Sequence, residues 1–124
     1  MPHVVNWFEI PAADLNRAKQ FYEAIFMIKM VVPPGPMKTA FFPADWRQGD
    51  IGGSIVEGEG YVPASVGTLV FLSAGKDLSE VLGRVEAAGG RVQMPKTQVP
   101  MEDSGYIATF LDTEGNKVGI CSPK

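Results

Sequence analysis

The chain has 124 residues, 45% of them hydrophobic, a formal net charge of −3 and one cysteine. This length and composition suit one domain with a buried core. The negative charge and the lack of a Lys and Arg cluster argue against nucleic acid and against an anionic membrane surface as partners. No apolar run reaches about 18 residues, so no membrane span is expected. The first residues lack the basic and apolar regions of a secretory signal, which predicts a cytoplasmic protein.

The first half of the chain predicts a strand, a capped helix and three further strands. The run from His3 to Ile10 is rich in Val, Trp, Phe and Ile, which are typical strand residues. Asp14 suits a helix N-cap, and apolar residues then recur at helical spacing from Leu15 to Phe26. The three further strands are predicted at residues 27–32, 37–42 and 51–57.

The second half of the chain repeats this order of elements. Residues 67–73 predict a strongly apolar strand, and Asp77 suits a second N-cap. A helical stripe then ends at Gly89 and Gly90, since glycine readily adopts the left-handed conformation found after helices. The stripe consists of Leu78, Val81, Leu82 and Val85. Three strands follow at residues 91–94, 106–111 and 117–121, and the turn D-T-E-G-N joins the last two.

Several residues also recur between the halves, which indicates a duplicated module. The pairs at residues 14–15 and 23–24 return 63 positions later as Asp77-Leu78 and Glu86-Ala87. We therefore predict a single α+β domain over residues 1–124, in which two βαβββ modules form a cupped eight-stranded mixed sheet with helices on its outer face. Module one spans about 1–58, a linker about 59–66 and module two about 67–124. The concave face is the expected small-molecule site.

Four segments carry a resemblance to a known family. They are N-W-F-E-I-P-A-A-D-L-N-R-A-K-Q-F-Y-E-A-I-F at 6–26, G-G-S-I-V-E-G-E-G-Y at 52–61, T-L-V-F-L-S at 68–73 and F-L-D-T-E-G-N-K-V-G-I at 110–120. With these motifs the chain resembles the vicinal oxygen chelate superfamily, also called the glyoxalase, bleomycin-resistance and extradiol-dioxygenase family. The resemblance implies paired βαβββ modules, a cup-shaped site and, usually, a homodimer.

The resemblance also implies where metal ligands would stand. Metal-dependent members of the family carry four ligands, from His, Glu and sometimes Gln, on the first and fourth strands of each module. The corresponding residues here are Asn6 (or Trp7, with a shift of one residue), Glu57, Thr68 and Gly119. A catalytic metal needs about three protein ligands and an open position. Because only Glu57 suits a divalent metal, no metal site and no cofactor are predicted, and a divalent metal is the disfavoured alternative.

Glu57 is the candidate catalytic residue. Strand alternation puts Gly53, Ile55 and Glu57 on one face. If that face lines the cup, the pKa of Glu57 would rise among apolar groups, and the carboxylate could act as a base. The alternative is a solvated residue at a strand end. The predicted ligand-binding residues are Asn6, Phe8, Ile55, Glu57, Thr68, Tyr106 and Cys121.

Three functions are compatible with these residues. The favoured one is a metal-free small-molecule binding protein with Asn6, Glu57 and Thr68 as polar anchors. The second is a glyoxalase-type lyase or isomerase that uses Glu57 as a base or a metal ligand. The third is a dimeric interaction module without a catalytic pocket. The expected partners are a small-molecule ligand and a second copy of the chain, and the cup could lie within one chain or across two.

Overall fold

The computed structural model describes residues 3–124, so the first two residues of the predicted first module lie outside the described part. The elements follow the predicted order. The strands are β1 (Trp7–Pro11), β2 (Lys38–Phe41), β3 (Gly52–Glu57), β4 (Phe71–Ser73), β5 (Arg91–Gln98), β6 (Tyr106–Leu111) and β7 (Lys117–Ser122), and the helices are α1 (Leu15–Phe26) and α2 (Ser79–Leu82). None of the helices within residues 3–124 has the length and apolar character that a bilayer crossing requires.

The strands form two mixed sheets with the same internal order. In the first sheet β3 lies between β1, which is parallel to it, and β2, which is antiparallel. In the second sheet the order is β4-β7-β6-β5, again with the first and last strands of the module parallel neighbours. The shared topology confirms the predicted α+β fold of two βαβββ modules. It also leaves β1 and β4 at the edges of their sheets.

The predicted strand at residues 27–32 is reduced to one bridge in this structure. Val31 and Phe41 exchange two backbone hydrogen bonds, of 3.1 and 2.8 Å. The segment Pro33-Pro34-Gly35-Pro36 follows at once, and its prolines lack the N–H groups that a longer ladder would need. The eighth strand of the predicted sheet is therefore a single residue pair, and the first sheet has three continuous strands.

Helix α1 forms as predicted. The side chain of Asp14 accepts a hydrogen bond from the backbone N–H of Arg17 at 3.1 Å, which confirms the N-cap. Met27 ends the helix in the left-handed conformation, with φ of 54°. The stripe that packs on the core is Leu15, Ala18, Phe21, Tyr22 and Ile25.

Helix α2 is much shorter than the predicted stripe. It covers four residues, and the chain continues as turns up to Gly89. Gly83 directly follows the helix, and glycine costs about 1 kcal/mol relative to Ala inside a helix. Asp77 accepts a hydrogen bond from the N–H of Ser79 at 2.9 Å, but the helix begins after Leu78. The predicted cap residue is therefore one position too early.

One apolar core joins the two modules. Helix α1 packs on β2 and β3, and its Phe21 lies 5.7 Å from the ring of Phe110 on β6. The strands contribute alternate residues to this core, such as Ile10 and Ile120. The remaining alternate residues point away from the helices, and we call these sides the open faces. The open face of the first sheet carries Trp7, Glu9, Phe41 and Ser54, and that of the second carries Phe71, Ser73, Ile107, Gly119 and Cys121.

The turn at residues 112–116 attaches the second module to the start of α1. The Glu114 carboxylate accepts hydrogen bonds from the backbone N–H groups of Ala13 and Asp14, both at 2.9 Å. It also accepts from both ends of the Arg17 guanidinium, at 2.8 and 2.9 Å. A carboxylate is stabilised at this place because the amide groups at a helix N-terminus are not bonded within the helix.

Two further contacts from this turn hold the modules together. The hydroxyl of Tyr22 donates to Asp112 Oδ2 at 2.6 Å, with both residues buried. The amide of Asn116 donates to the carbonyl of Pro11 at 2.8 Å. The helix-bearing sides of the sheets therefore face a common core, and β1 and β4 do not pair with each other.

Candidate functional site

An aromatic cluster occupies the open face of the first sheet. The ring of Trp7 lies edge-on to Phe41, with centroids 5.8 Å apart, and to Trp46, with centroids 6.1 Å apart. A cavity of about 680 Å³ lies against these rings and is also lined by Asn6 and Asp50. Trp7 is 36% exposed and Trp46 is 65% exposed. Large aromatic side chains that remain this exposed beside a cavity are suited to binding a planar molecule.

Gly52 allows this cluster to form. It lies beside Trp7 in the ladder between β1 and β3. A Cβ atom at position 52 would lie 2.9 Å from both Trp46 Nε1 and the Trp7 ring, closer than such atoms approach in proteins. A larger residue would therefore displace one of the two rings.

A carboxylate and a phenol lie next to the cluster. The hydroxyl of Tyr61 donates to Glu9 Oε1 at 2.9 Å. This hydrogen bond and the charge of Glu9 raise the pKa of Tyr61. No motif in the sequence identified this pair as a site. Strand alternation could have identified Glu9, because it lies two residues after Trp7 and so on the same face.

The open face of the second sheet is also partly apolar. Phe71 on β4 lies across from Gly119 on β7 and is 42% exposed. A Cβ atom at Gly119 would overlap the ring of Phe71, so the glycine makes room for that ring. Cys121 lies on the same face, between Ser73 and Ile107, and is half-buried. The structure thus places Cys121 beside Gly119, as alternation predicts.

Glu57 points to the opposite side of the first sheet. It shares a face with Ile55, as predicted, but that face packs against α1. Its Oε1 accepts a hydrogen bond from the backbone N–H of Leu15 at 2.8 Å, and its Oε2 accepts one from Lys38 Nζ at 3.2 Å. The hydrogen bond from Leu15, followed by that from Lys38, lowers the pKa of Glu57. The prediction of a raised pKa is wrong, because donors surround the carboxylate instead of apolar groups.

The second module repeats this contact with a different residue. Ser122, at the end of β7, accepts a hydrogen bond from the N–H of Leu78 at 2.8 Å, just before α2. Leu78 corresponds to Leu15 in the internal repeat. The end of the last strand therefore supplies an acceptor to the start of the helix in both modules. This shared role accounts for the position of the Glu57 carboxylate at the end of β3.

Three other predicted ligand-binding residues lie on the core side. Ile55 has 0% exposure and belongs to the core, so the prediction that it lines a binding surface is wrong. Phe8 is half-buried, with its ring 5.5 Å from that of Phe42. Tyr106 packs on the core, and Lys96 Nζ lies 4.7 Å from the centre of its ring. Alternation grouped Ile55 with Glu57, but only the packing of α1 decides that this face of the first sheet is covered.

Asn6 and Thr68 lie in different cavities. Asn6 precedes β1 and lines the cavity of the aromatic cluster, beside Trp7. Thr68 is exposed before β4 and lines a smaller cavity of about 150 Å³ that includes Glu9 and Asn116. The predicted ligand-binding residues therefore do not form one site within a chain. Asn6 lies beside the open face of the first sheet, and Cys121 lies on the open face of the second.

The open faces do not fit the divalent metal of the family's metal-dependent enzymes. Within residues 3–124, no three His, Cys, Asp or Glu side chains lie close enough together to hold a metal ion. His3 and Asp50 line the cavity of the aromatic cluster, Glu9 lies on the same face of β1, and the thiol of Cys121 lies on the other sheet. A catalytic site needs about three such ligands.

Residues 3–120 match the family model of the Glyoxalase/Bleomycin resistance protein/Dioxygenase superfamily. The chain belongs to this superfamily. The comparison with curated proteins finds no match.

Solved structures share the fold at low sequence identity. A glyoxalase/bleomycin resistance protein from Albidiferax ferrireducens is 18% identical, with a TM-score of 0.74 and coverage of 97% of this chain and 98% of that protein. A genomically encoded fosfomycin resistance protein from Listeria monocytogenes is 18% identical, with a TM-score of 0.67 and coverage of 98% and 92%. A glyoxalase I mutant from Zea mays is also 18% identical, with a TM-score of 0.68, but the match covers 94% of this chain and 45% of that protein.

Proposed function

We propose that this chain is a small-molecule binding protein of the glyoxalase and bleomycin-resistance type, whose cup works without a catalytic metal and is completed by a second copy of the chain. The observation that carries the proposal is the arrangement of the open faces. Each sheet has a partly apolar open face, and each ends at its first strand, β1 or β4, whose outer edge pairs with no other strand within residues 3–124. The open face of each module therefore forms one half of the proposed cup, and the other module of the same chain does not supply the second half.

The strand edges support a homodimer. The outer backbone groups of an edge strand can pair with another chain. The exposed rings of Trp7 and Phe71 lie on β1 and β4, so pairing of these strands between copies would also cover apolar surface. In a twofold dimer the same contact occurs twice, β1 of each copy lying along β4 of the other. This arrangement joins the two kinds of open face and produces two cups.

The lining of the proposed cup indicates the kind of ligand. The rings of Trp7, Phe41 and Trp46 suit a planar apolar group. The amide of Asn6 can both donate and accept a hydrogen bond at the edge of the same cavity. We propose a planar molecule with at least one polar substituent. Glu57 is not part of this site, since its carboxylate is bonded to the start of α1.

A second candidate is an enzyme that uses Glu9. The hydrogen bond from Tyr61 places a phenol and a carboxylate together on the open face, where either could exchange a proton with a ligand. In this version Glu9, rather than Glu57, is the general base. The solved relatives include a glyoxalase I mutant and a fosfomycin resistance protein, so catalytic members exist among proteins of this fold.

The proposal is tested by oligomeric state and ligand binding. We expect a dimer by light scattering at micromolar concentration, and a monomer would contradict the shared cup. A thermal-shift screen with planar aromatics and thiol conjugates should find a ligand that raises the melting temperature equally with and without EDTA. Trp7→Ala should abolish that shift, whereas Met101→Ala, at an exposed position in the loop before β6, should preserve it.

Other outcomes of the screen separate the remaining functions. Stoichiometric Ni, Zn, Fe or Mn in protein purified without chelator, if required for binding, would contradict the metal-free proposal. Turnover of the ligand that is lost in Glu9→Gln but retained in Glu57→Gln would favour the enzyme. No stabilisation by any ligand class would favour an interaction module.

A further inference from the structure

A second cavity opens between the modules on the side of the sheets that carries the helices. Its volume is about 480 Å³, within the range of ligand sites in proteins. It is separate from the cavity of the aromatic cluster, because the two cavities share no lining residue, and its strand residues Phe8 and Leu72 belong to the core-facing sides of β1 and β4. Its apolar wall is formed by Phe8, Phe26, Ile28, Phe42, Leu72 and Val81.

One basic group reaches this apolar cavity. Arg84 follows α2 and is half-buried, and its Nη1 donates to the carbonyl of Ile25 at 2.8 Å. This contact fixes the guanidinium against the end of α1. Within residues 3–124 it is the one hydrogen bond that the guanidinium makes, and no carboxylate forms an ion pair with it. Arginine has five N–H donors, so several remain for a ligand.

Glu80 is the acidic residue that lines this cavity. It lies on α2, four residues before Arg84, and its side chain is exposed at the cavity rim. The negative charge of Glu80 repels an incoming anion, but Glu80 forms no ion pair with Arg84. Removing the charge of Arg84 should therefore weaken the binding of an anion, and removing that of Glu80 should strengthen it.

We propose that this cavity binds an amphipathic carboxylate, with the carboxylate on Arg84 and the apolar part against the aromatic and aliphatic wall. A planar guanidinium binds a carboxylate through two parallel hydrogen bonds, which makes the pair stronger and more specific than a neutral contact. Partial burial strengthens the attraction, because less water screens the charges. The apolar part gains from leaving water at the surface of Phe8, Phe42 and Leu72. This site does not depend on the function proposed for the open faces.

The test compares two probes with the same chain and different head groups. Decanoate and 1-decanol should be measured by displacement of a dansylated fatty acid from the full-length protein. Wild-type protein should bind decanoate at least about tenfold more tightly than decanol, because only decanoate forms the charged hydrogen bonds. Arg84→Met should weaken decanoate binding by about tenfold to a hundredfold and leave decanol binding unchanged.

Matched variants locate the effect. Arg91→Met removes an exposed arginine outside the cavity and should leave both affinities unchanged. Glu80→Gln should strengthen decanoate binding without affecting decanol. Arg84→Lys keeps the charge and should retain part of the preference if Arg84→Met does not fold. Trp7→Ala should leave decanoate binding intact, which separates this cavity from the open face.

Several results would overturn the proposal. They are undetectable binding of decanoate, equal affinities for the two probes, or equal effects of Arg84→Met and Arg91→Met. A decanoate affinity that falls as protein concentration rises would also overturn it, because a second copy of the chain would then occupy the cavity.

Discussion

Replacing Glu114 with Gln tests the attachment between the two modules. The Glu114 side chain has no exposed area, and its carboxylate accepts hydrogen bonds from Arg17 and from the amides of Ala13 and Asp14. Burial alone would raise its pKa. The hydrogen bonds from Arg17, Asp14 and Thr113 and the charge of Arg17 outweigh that effect and lower the pKa to about 2.

The size of the effect follows from this pKa. The ordinary value for the group is 4.5, and each unit of difference corresponds to about 1.4 kcal/mol. The ionised Glu114 therefore contributes about 3 kcal/mol to the free energy of unfolding at pH 7. Because the folded pKa is the lower one, this contribution is fully present above pH 4.5 and is lost as the pH falls towards 2. Glu114→Gln keeps the shape of the side chain and removes the charge, so it should cost about 2 to 3 kcal/mol at pH 7.

The assay is urea unfolding at several pH values and one fixed protein concentration, because dimerisation would otherwise change the apparent stability. The stability difference between wild type and Glu114→Gln should shrink steadily below pH 4.5. Glu59→Gln, at an exposed position, should match wild type throughout. A cost below about 0.5 kcal/mol at pH 7, the usual scatter for a surface change, would refute the reasoning. So would a stability difference that does not change with pH.

Two further substitutions test other contacts of α1. Tyr22→Phe removes the buried hydrogen bond to Asp112 and should lower the free energy of unfolding in urea by about 2 kcal/mol. Tyr61→Phe removes an exposed hydrogen bond and should lower it by less than about 0.5 kcal/mol. Equal costs would count against the inter-module role of Tyr22. Met27→Gly should stabilise the protein by about 0.5 kcal/mol, since glycine adopts the left-handed conformation without strain, and Ala24→Gly inside the helix should destabilise it by about 1 kcal/mol. Changes of the same sign would contradict this explanation.

The sequence was sufficient for the fold because its signals are local. The stripe of α1, its Asp14 cap and the D-T-E-G-N turn depend on neighbouring residues, and all three are present in the structure. The duplication could be read from residue matches, and the two sheets have the same strand order. The predicted length of α2 was wrong because helix propensity is low at Gly83. The helix ends before this residue, although apolar residues continue at helical spacing beyond it.

The candidate site was less predictable because it depends on which face of a strand is covered. The sequence correctly grouped Ile55 with Glu57, since alternation has a period of two residues. It could not show that α1 covers this face and that Leu15 donates to Glu57. The same alternation placed Trp7 with Glu9, and the tertiary structure made theirs the open face.

The sequence by itself thus determined two βαβββ modules, the capped helix α1 and the turn that joins β6 to β7. Only the tertiary structure decided the relative placement of the modules. The contacts of Glu114, Asn116 and Tyr22 with partners about a hundred residues away turn the helix-bearing sides of both sheets towards one core. That packing leaves β1 and β4 as edge strands and the rings of the aromatic cluster partly exposed. A local pattern cannot encode this result, because each of these contacts joins segments about a hundred residues apart in the chain.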